Sequence, residues 1–128
     1  MSDEGESWLF DAAGEQSETL EAFKAKVARA TDAQVKYIGE GGRTVLINMA
    51  ARHDWPELVV SLISRGLNVN EKDDRGATAL HMAGGRNRCE TARVLLEHGA
   101  DHTIKNSDGK TAADAAREKG HAELAASI

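Results

Sequence analysis

One property limits this chain more than any other: it repeats. Glu57, Glu90 and Glu123 fall 33 residues apart, as do Ala50, Ala83 and Ala116, and Leu62, Leu95 and Ile128. Gly66 and Gly99, Gly76 and Gly109, and Thr78 and Thr111 keep the same interval. Upstream the offset is 34, from Gly42 to Gly76, Thr44 to Thr78 and Val35 to Val69. One extra residue therefore lies between Thr44 and Glu57, near the Arg52–Pro56 turn. A fixed interval of this size means one supersecondary unit copied along the chain. Such a unit cannot bury its apolar faces alone, and stacking the copies does so.

Each copy reads as turn, helix, tight turn, helix. In the third, Asp73–Gly76 forms a turn in which Gly76 is free to take positive φ. Thr78 is placed to cap a short helix whose inward residues are Leu80 and Ala83. Asn87 ends that helix. Its aligned partners, Asp54 and Gly120, are also types that tolerate the left-handed conformation found after helix C-termini. A second helix carries Ala92, Leu95 and Leu96 and closes at Gly99; its counterpart one unit earlier carries Leu58, Val59, Leu62 and Ile63. A stripe of that width suits a helix held between neighbours.

The expected fold is all-α, a solenoid of about four stacked helix-turn-helix units with β-turn connections. Residues 8–39 form a degenerate N-terminal capping unit, with Leu20, Phe23 and Val27 on one helical face and Trp8 and Phe10 packing into the cap. Units 40–72 and 73–105 are fuller, 106–128 is a truncated C-terminal cap, and 1–7 is a disordered tail. Aromatic residues are only 4% of the chain, so the core is expected to be thin and built from many small contacts.

The formal charge is −5, with both signs mixed along the chain. An acidic balance repels phosphate backbones and no basic run is present, so nucleic acid is not an expected partner. Cys89 is the one cysteine, which excludes an internal disulfide framework and points to a reducing compartment. The opening MSDEGESWLFDAAGEQSE lacks the basic and apolar regions of a signal peptide, and no apolar run approaches the ~20 residues of a membrane span. A soluble cytoplasmic protein is expected, with nuclear entry open and no membrane partner.

Catalysis would need a nucleophile or base beside an orienting partner. The candidates are His53, His81, His98, His102, His121 and Cys89. The histidines fall at structural positions or at helix ends, and Cys89 opens a second helix as a small surface thiol. His98 and His102 have the i, i+4 spacing of a zinc pair, but Gly99 breaks the helix between them and no further ligand has matching spacing. Gly41-Gly42 and Gly84-Gly85 belong to no phosphate-binding pattern and read as turn geometry and close helix approach. The reading is therefore no enzyme, no metal and no cofactor.

The strings GATALHMA, ETARVLLEHGADHTIKN and DGKTAADAAREKGHAEL resemble ankyrin repeats, whose pattern runs DxxGxTPLHxAAxxGHxEIVxxLLxxGAD. The resemblance spans roughly residues 8–128. GGRTVL and GADHTIKNSDGKTA are similar to the myotrophin-like small ankyrin proteins. Two departures stand out. The pattern's proline is replaced by Val45, Ala79 and Ala112, and only unit three keeps the histidine, as His81, with Ile47 and Asp114 in the other units. A looser turn scaffold is expected. The resemblance also puts Asn70, in GLNVN, at a loop position where ankyrin asparagines can be hydroxylated.

What the resemblance implies is a non-catalytic protein–protein interaction module: an adaptor, a scaffold or a small inhibitor. In such a stack the turn tips and the exposed sides of the first helices line one concave surface. The candidates for binding there are Glu40 and Arg43, Asp74 and Arg75, and Asp108 and Lys110 at the turns. At the helix ends they are Arg52, His53, Arg86 and Lys119, with Arg88 nearby. His53, Arg86 and Lys119 align as a basic ridge suited to an acidic patch on the partner, the chain itself being monomeric. Trp55 has two readings, as an interface anchor or as a lid over the longer turn. A structural subunit of a larger assembly, or an enzyme using Cys89 or histidines, are the alternatives.

Overall fold

The computed structural model describes residues 5–128. The expectation of a disordered tail over 1–7 lies, as far as residue 4, outside the described residues. At Gly5 the chain is engaged, its carbonyl accepting from the Gln34 side chain at 3.2 Å.

All the regular elements among these residues are helical. Unit one holds α1 (Trp8–Ala13), α2 (Leu20–Arg29) and a short α3 (Asp32–Val35). Unit two holds α4 (Val45–Arg52) and α5 (Pro56–Ser64), unit three α6 (Ala79–Gly85) and α7 (Cys89–Glu97), and unit four α8 (Ala112–Glu118) and α9 (Ala122–Ser127). The first helices form one row, α1 against α4, α4 against α6 and α6 against α8, while α2, α5 and α7 form a second row behind them. Most of the core is shared between copies: Leu46, Met49, Leu58, Leu62, Leu80 and Leu95 are all buried. Phe23 and Val27 seal the N-terminal end as the helical stripe predicts.

Threonine starts the helices. The hydroxyls of Thr19, Thr31, Thr44, Thr78 and Thr111 each accept from a backbone N–H three residues on, satisfying a donor that has no partner within the helix. The pattern's missing proline is therefore offset by a hydroxyl cap in every regular unit.

The turns carry the second repeated device. Asp73 donates its N–H to Ala77 O at 2.9 Å, and its carboxylate accepts from Arg75 N and Ala77 N. Asn106 repeats this with Lys110 and Asp108. One rung joins each turn to the next, Asp74 N to Gly41 O and Ser107 N to Arg75 O, both at 2.8 Å. Gly42, Gly76 and Gly109 take φ of 73°, 74° and 75° at the same register position, where a side chain would be strained.

His81 ties this lattice to the helices. Its Nδ1 accepts from Thr78 N at 3.1 Å while Nε2 donates to Lys110 O in the next unit at 2.9 Å. In unit four, Asp114 restores the first of these contacts, accepting from Thr111 N at 3.0 Å. In unit two the position holds the apolar, buried Ile47, whose side chain can make neither contact.

The extra residue is His53. Thr44 to Arg52 matches Thr78 to Arg86 at the 34-residue offset, and α4 runs one residue longer than α6. His53 then takes an extended backbone, φ −140° and ψ 154°. The matching turns use left-handed Asn87 at φ 58° and Gly120 at φ 82°, but Asp54 is not left-handed. This corrects the expectation for Asp54: the insertion changes the turn's path, so no left-handed residue is needed there.

Candidate protein-binding face

The turn tips and the ends of the first helices supply the face. Glu40 opens a single 3-10 turn (Glu40–Gly42) and is exposed, and Asp74, Arg75 and Asp108 are exposed at the corresponding tips. Arg43 and Lys110 are half-buried below them, and Arg52, Arg86 and Lys119 are exposed at the helix ends. A groove of about 580 Å3 runs between the tips of units two and three, lined by Glu40, Arg43, Asp74 and Arg75 with Phe10 and Asn48 at its floor. Across unit four, Lys110 pairs with Glu118. The equivalent positions in unit three are Ala77 and Gly85, small and uncharged, so the face is bridged at one end and open in the middle.

Two predicted site residues are placed elsewhere. His53 is 9% exposed, with Nε2 donating to the Glu15 carbonyl at 2.9 Å. Its ring lies flat on Trp55, centroids 3.7 Å apart and 4° between planes. Trp55, half-buried, also meets Phe23 at 5.5 Å. Both residues belong to the joint between units one and two, where the Trp55 ring packs against Phe23 and His53. The physical reason is the inserted residue: it shifts the register so that Arg52, not His53, takes the place beside Arg86.

The basic ridge accordingly becomes an arginine group. Arg86 Nη1 and Arg88 Nη2 both donate to the Ala51 carbonyl, at 3.4 and 3.3 Å. Burial, and then the charges of Arg52, Arg88 and Arg43, hold the Arg86 guanidinium below its ordinary value. The sequence pointed to a ridge of His53, Arg86 and Lys119 with Arg88 nearby; the convergence of Arg86 and Arg88 on one carbonyl was not readable from spacing.

Other chemistry-bearing groups are engaged or dispersed. Asn70 is held at both ends of its amide, donating to Gly99 O at 3.2 Å and accepting from Asp101 N at 2.8 Å. His98 Nδ1 lies 2.9 Å from Val94 O. Cys89 is exposed, its thiol 3.3 Å from Asn87 Oδ1. Among the described residues no three His, Cys, Asp or Glu side chains are grouped to hold a metal ion, and no helix is long and apolar enough to cross a membrane.

A row of short helix pairs joined by interlocked turns, with one polar face left open, defines a repeat-stack interaction module. The chain belongs to the ankyrin-repeat family. The family described as "Ankyrin repeats (3 copies)" matches residues 9–106 and 47–127. Among similar proteins, a probable E3 ubiquitin-protein ligase of Oryza sativa subsp. japonica, XBOS34, is 38% identical over 105 residues, 80% of this chain and 20% of the relative. The putative ligase XBAT34 of Arabidopsis thaliana is 35% identical over 89 residues, 68% of this chain and 24% of that protein. The putative ankyrin repeat protein L92 of Acanthamoeba polyphaga mimivirus is 36% identical over 78 residues, 61% of this chain and 19% of the viral one. The chain thus spans about a fifth to a quarter of the length of these relatives. Membership makes it a protein–protein interaction module.

Proposed function

We propose that the chain works as an adaptor or a surface-occupying inhibitor, gripping a partner protein with its concave face in the cytoplasm. One observation supports this reading above the rest. Along the turns and first helices, residues are sorted into those consumed by the stack and those it leaves free. Asp73 and Asn106 spend their side chains on their own turns, Thr78 and Thr111 on their own helices, and His81 on its own helix start and the next unit. Among the described residues, Glu40, Asp74, Asp108 and Arg52 make no side-chain hydrogen bond and no ion pair. A scaffold that rigidly presents unpaired polar side chains holds them ready at low entropic cost on binding. The plant relatives carry ubiquitin-ligase names. Recruiting a protein to such a ligase is the same adaptor role within a longer chain.

The test is differential capture. The full chain is immobilised beside a face variant, Arg52→Glu with Asp74→Lys, and an outer-helix control, Val60→Asp on α5. Recovered proteins are compared by mass spectrometry. A protein held by the unmodified chain and the control but released by the face variant supports the reading. Retention by all three, or loss only in the Val60 variant, contradicts it.

A further inference from the structure

The arginine group at the junction of units two and three, Arg43, Arg52, Arg86 and Arg88, gathers four like charges, none of them in an ion pair among the described residues. Lys36, Lys72, Arg75, Lys105 and Lys119 likewise form no ion pair among the described residues, and what distinguishes Arg86 and Arg88 is that they converge. Arg86 and Arg88 sit side by side over Ala51 O, the carbonyl next to Arg52. The Arg88 Nε is buried with no hydrogen-bond partner. In a chain of net charge −5, this group is a local concentration of positive charge. Like charges held together repel most where solvent is partly excluded, and an arriving anion relieves several repulsions at once.

Space is available beside them. A Cβ at Gly85, which precedes Arg86, would meet nothing within 4 Å. The groove that Arg43 lines runs toward the turn tips, where Glu40, Asp73 and Asp74 repel an acidic segment and confine it to the arginine end.

We infer that this cluster docks an acidic segment of a protein partner, one carboxylate lying against Arg86 and Arg88 and another against Arg43 and Arg52. The inference rests on the concave-face reading above and adds the chemistry of the occupant. Carboxylates fit better than a single phosphate for two reasons. Arg86 and Arg88 each already commit an N–H to Ala51, leaving fewer donors for the three oxygens of a phosphate. The four charges are also distributed over two units, from a turn in unit two to the end of α6, instead of converging on one point. A short run of acidic side chains matches that spread.

The experiment measures fluorescence anisotropy of labelled hexaglutamate on titration with the full chain, at low ionic strength and again at ~150 mM salt. A phosphoserine peptide lacking Asp and Glu is the second probe. The expected result is saturable hexaglutamate binding that weakens with salt and falls tenfold or more in Arg52→Glu. The control Lys105→Glu, with the same change in net charge at an exposed loop, retains it. Arg52 is exposed and its side chain makes no hydrogen bond, so the variant keeps its fold, and circular dichroism verifies this. Hexaglutamate binding that is indifferent to Arg52→Glu, or a preference for the phosphoserine peptide, overturns the inference. If hexaglutamate does not bind while face variants still release a captured partner, the acidic occupant is wrong and the concave-face reading stands. If neither occurs, both fall.

Discussion

The Asp54 carboxylate in unit two caps a helix of unit three: its Oδ1 accepts from Thr91 N at 2.9 Å and from Thr91 Oγ1 at 2.7 Å. Thr91 is the third residue of α7 and completely buried, and α7 has no cap from its own preceding residue. A neighbour's side chain thus does what a local cap does elsewhere, which couples the folding of one unit to the next. Asp54→Ala is expected to cost about 1–2 kcal/mol, the usual worth of an N-cap plus a bond to a charged acceptor. Urea unfolding followed by circular dichroism measures it, and Asp54→Asn recovers part of the loss.

His81 makes the corresponding link between unit three and unit four. Replacing it with phenylalanine keeps the ring's bulk but leaves the Thr78 N–H and the Lys110 carbonyl without their partners. Thr78 is 2% exposed and its N–H is not readily rehydrated, whereas Lys110 is half-buried, so a loss of about 1–3 kcal/mol follows. Hydrogen exchange locates the damage. Amides of the Asn106–Lys110 turn lose protection first, before those of α4.

Gly84 and Gly85 are neighbours with opposite demands. A Cβ at Gly84 would stand 2.8 Å from the Ala112 carbonyl, part of α8's backbone, whereas one at Gly85 meets open space. Gly84→Ala is expected to lower stability by about 1–3 kcal/mol through overpacking. Gly85→Ala is expected to raise it by about 0.4–1 kcal/mol through the lost entropy of the unfolded chain. Thermal melts of the two single variants separate these signs.

Stability is expected to depend on pH through His53. Burial lowers its pKa from the ordinary 6.5; the Glu15 carbonyl and Glu18 oppose this, and the charges of Arg88 and Arg52 reinforce it. A base whose folded pKa lies below its unfolded one binds fewer protons when folded. The contribution of the neutral ring is therefore complete above pH ~6.5 and is lost as the pH falls through the folded value. The urea midpoint is expected to drop between pH 7.5 and 5.5, and to drop less in His53→Gln. With Trp8→Phe as background, emission from Trp55 reports the same titration, because the imidazole lies on that ring.

Much of this was legible in the sequence. The interval gave the repeat and the order of its helices. Thr44, Thr78 and Thr111 announced their caps, and Gly84 announced a close approach. His53 was misplaced because alignment was carried back at 33 residues to a point beyond the insertion; one residue of slippage turns an exposed position into a packed one. Asp54 was assigned to a left-handed turn on residue type alone, and its contact with Thr91 is a tertiary one that no local pattern encodes. The arginine group was half visible, as a ridge through Arg86 with Arg88 nearby, and the convergence of the two was not readable from spacing.

The central claim, an open face of stacked turns and first helices that holds a partner protein, is tested most directly by hydrogen exchange. The full chain is measured alone and in complex with a protein recovered by differential capture. Added protection is expected over residues 40–44, 50–54, 73–77 and 84–88, with α5 and α7 unchanged. Protection concentrated on α5 and α7, with the turns and first helices unaffected, would contradict it.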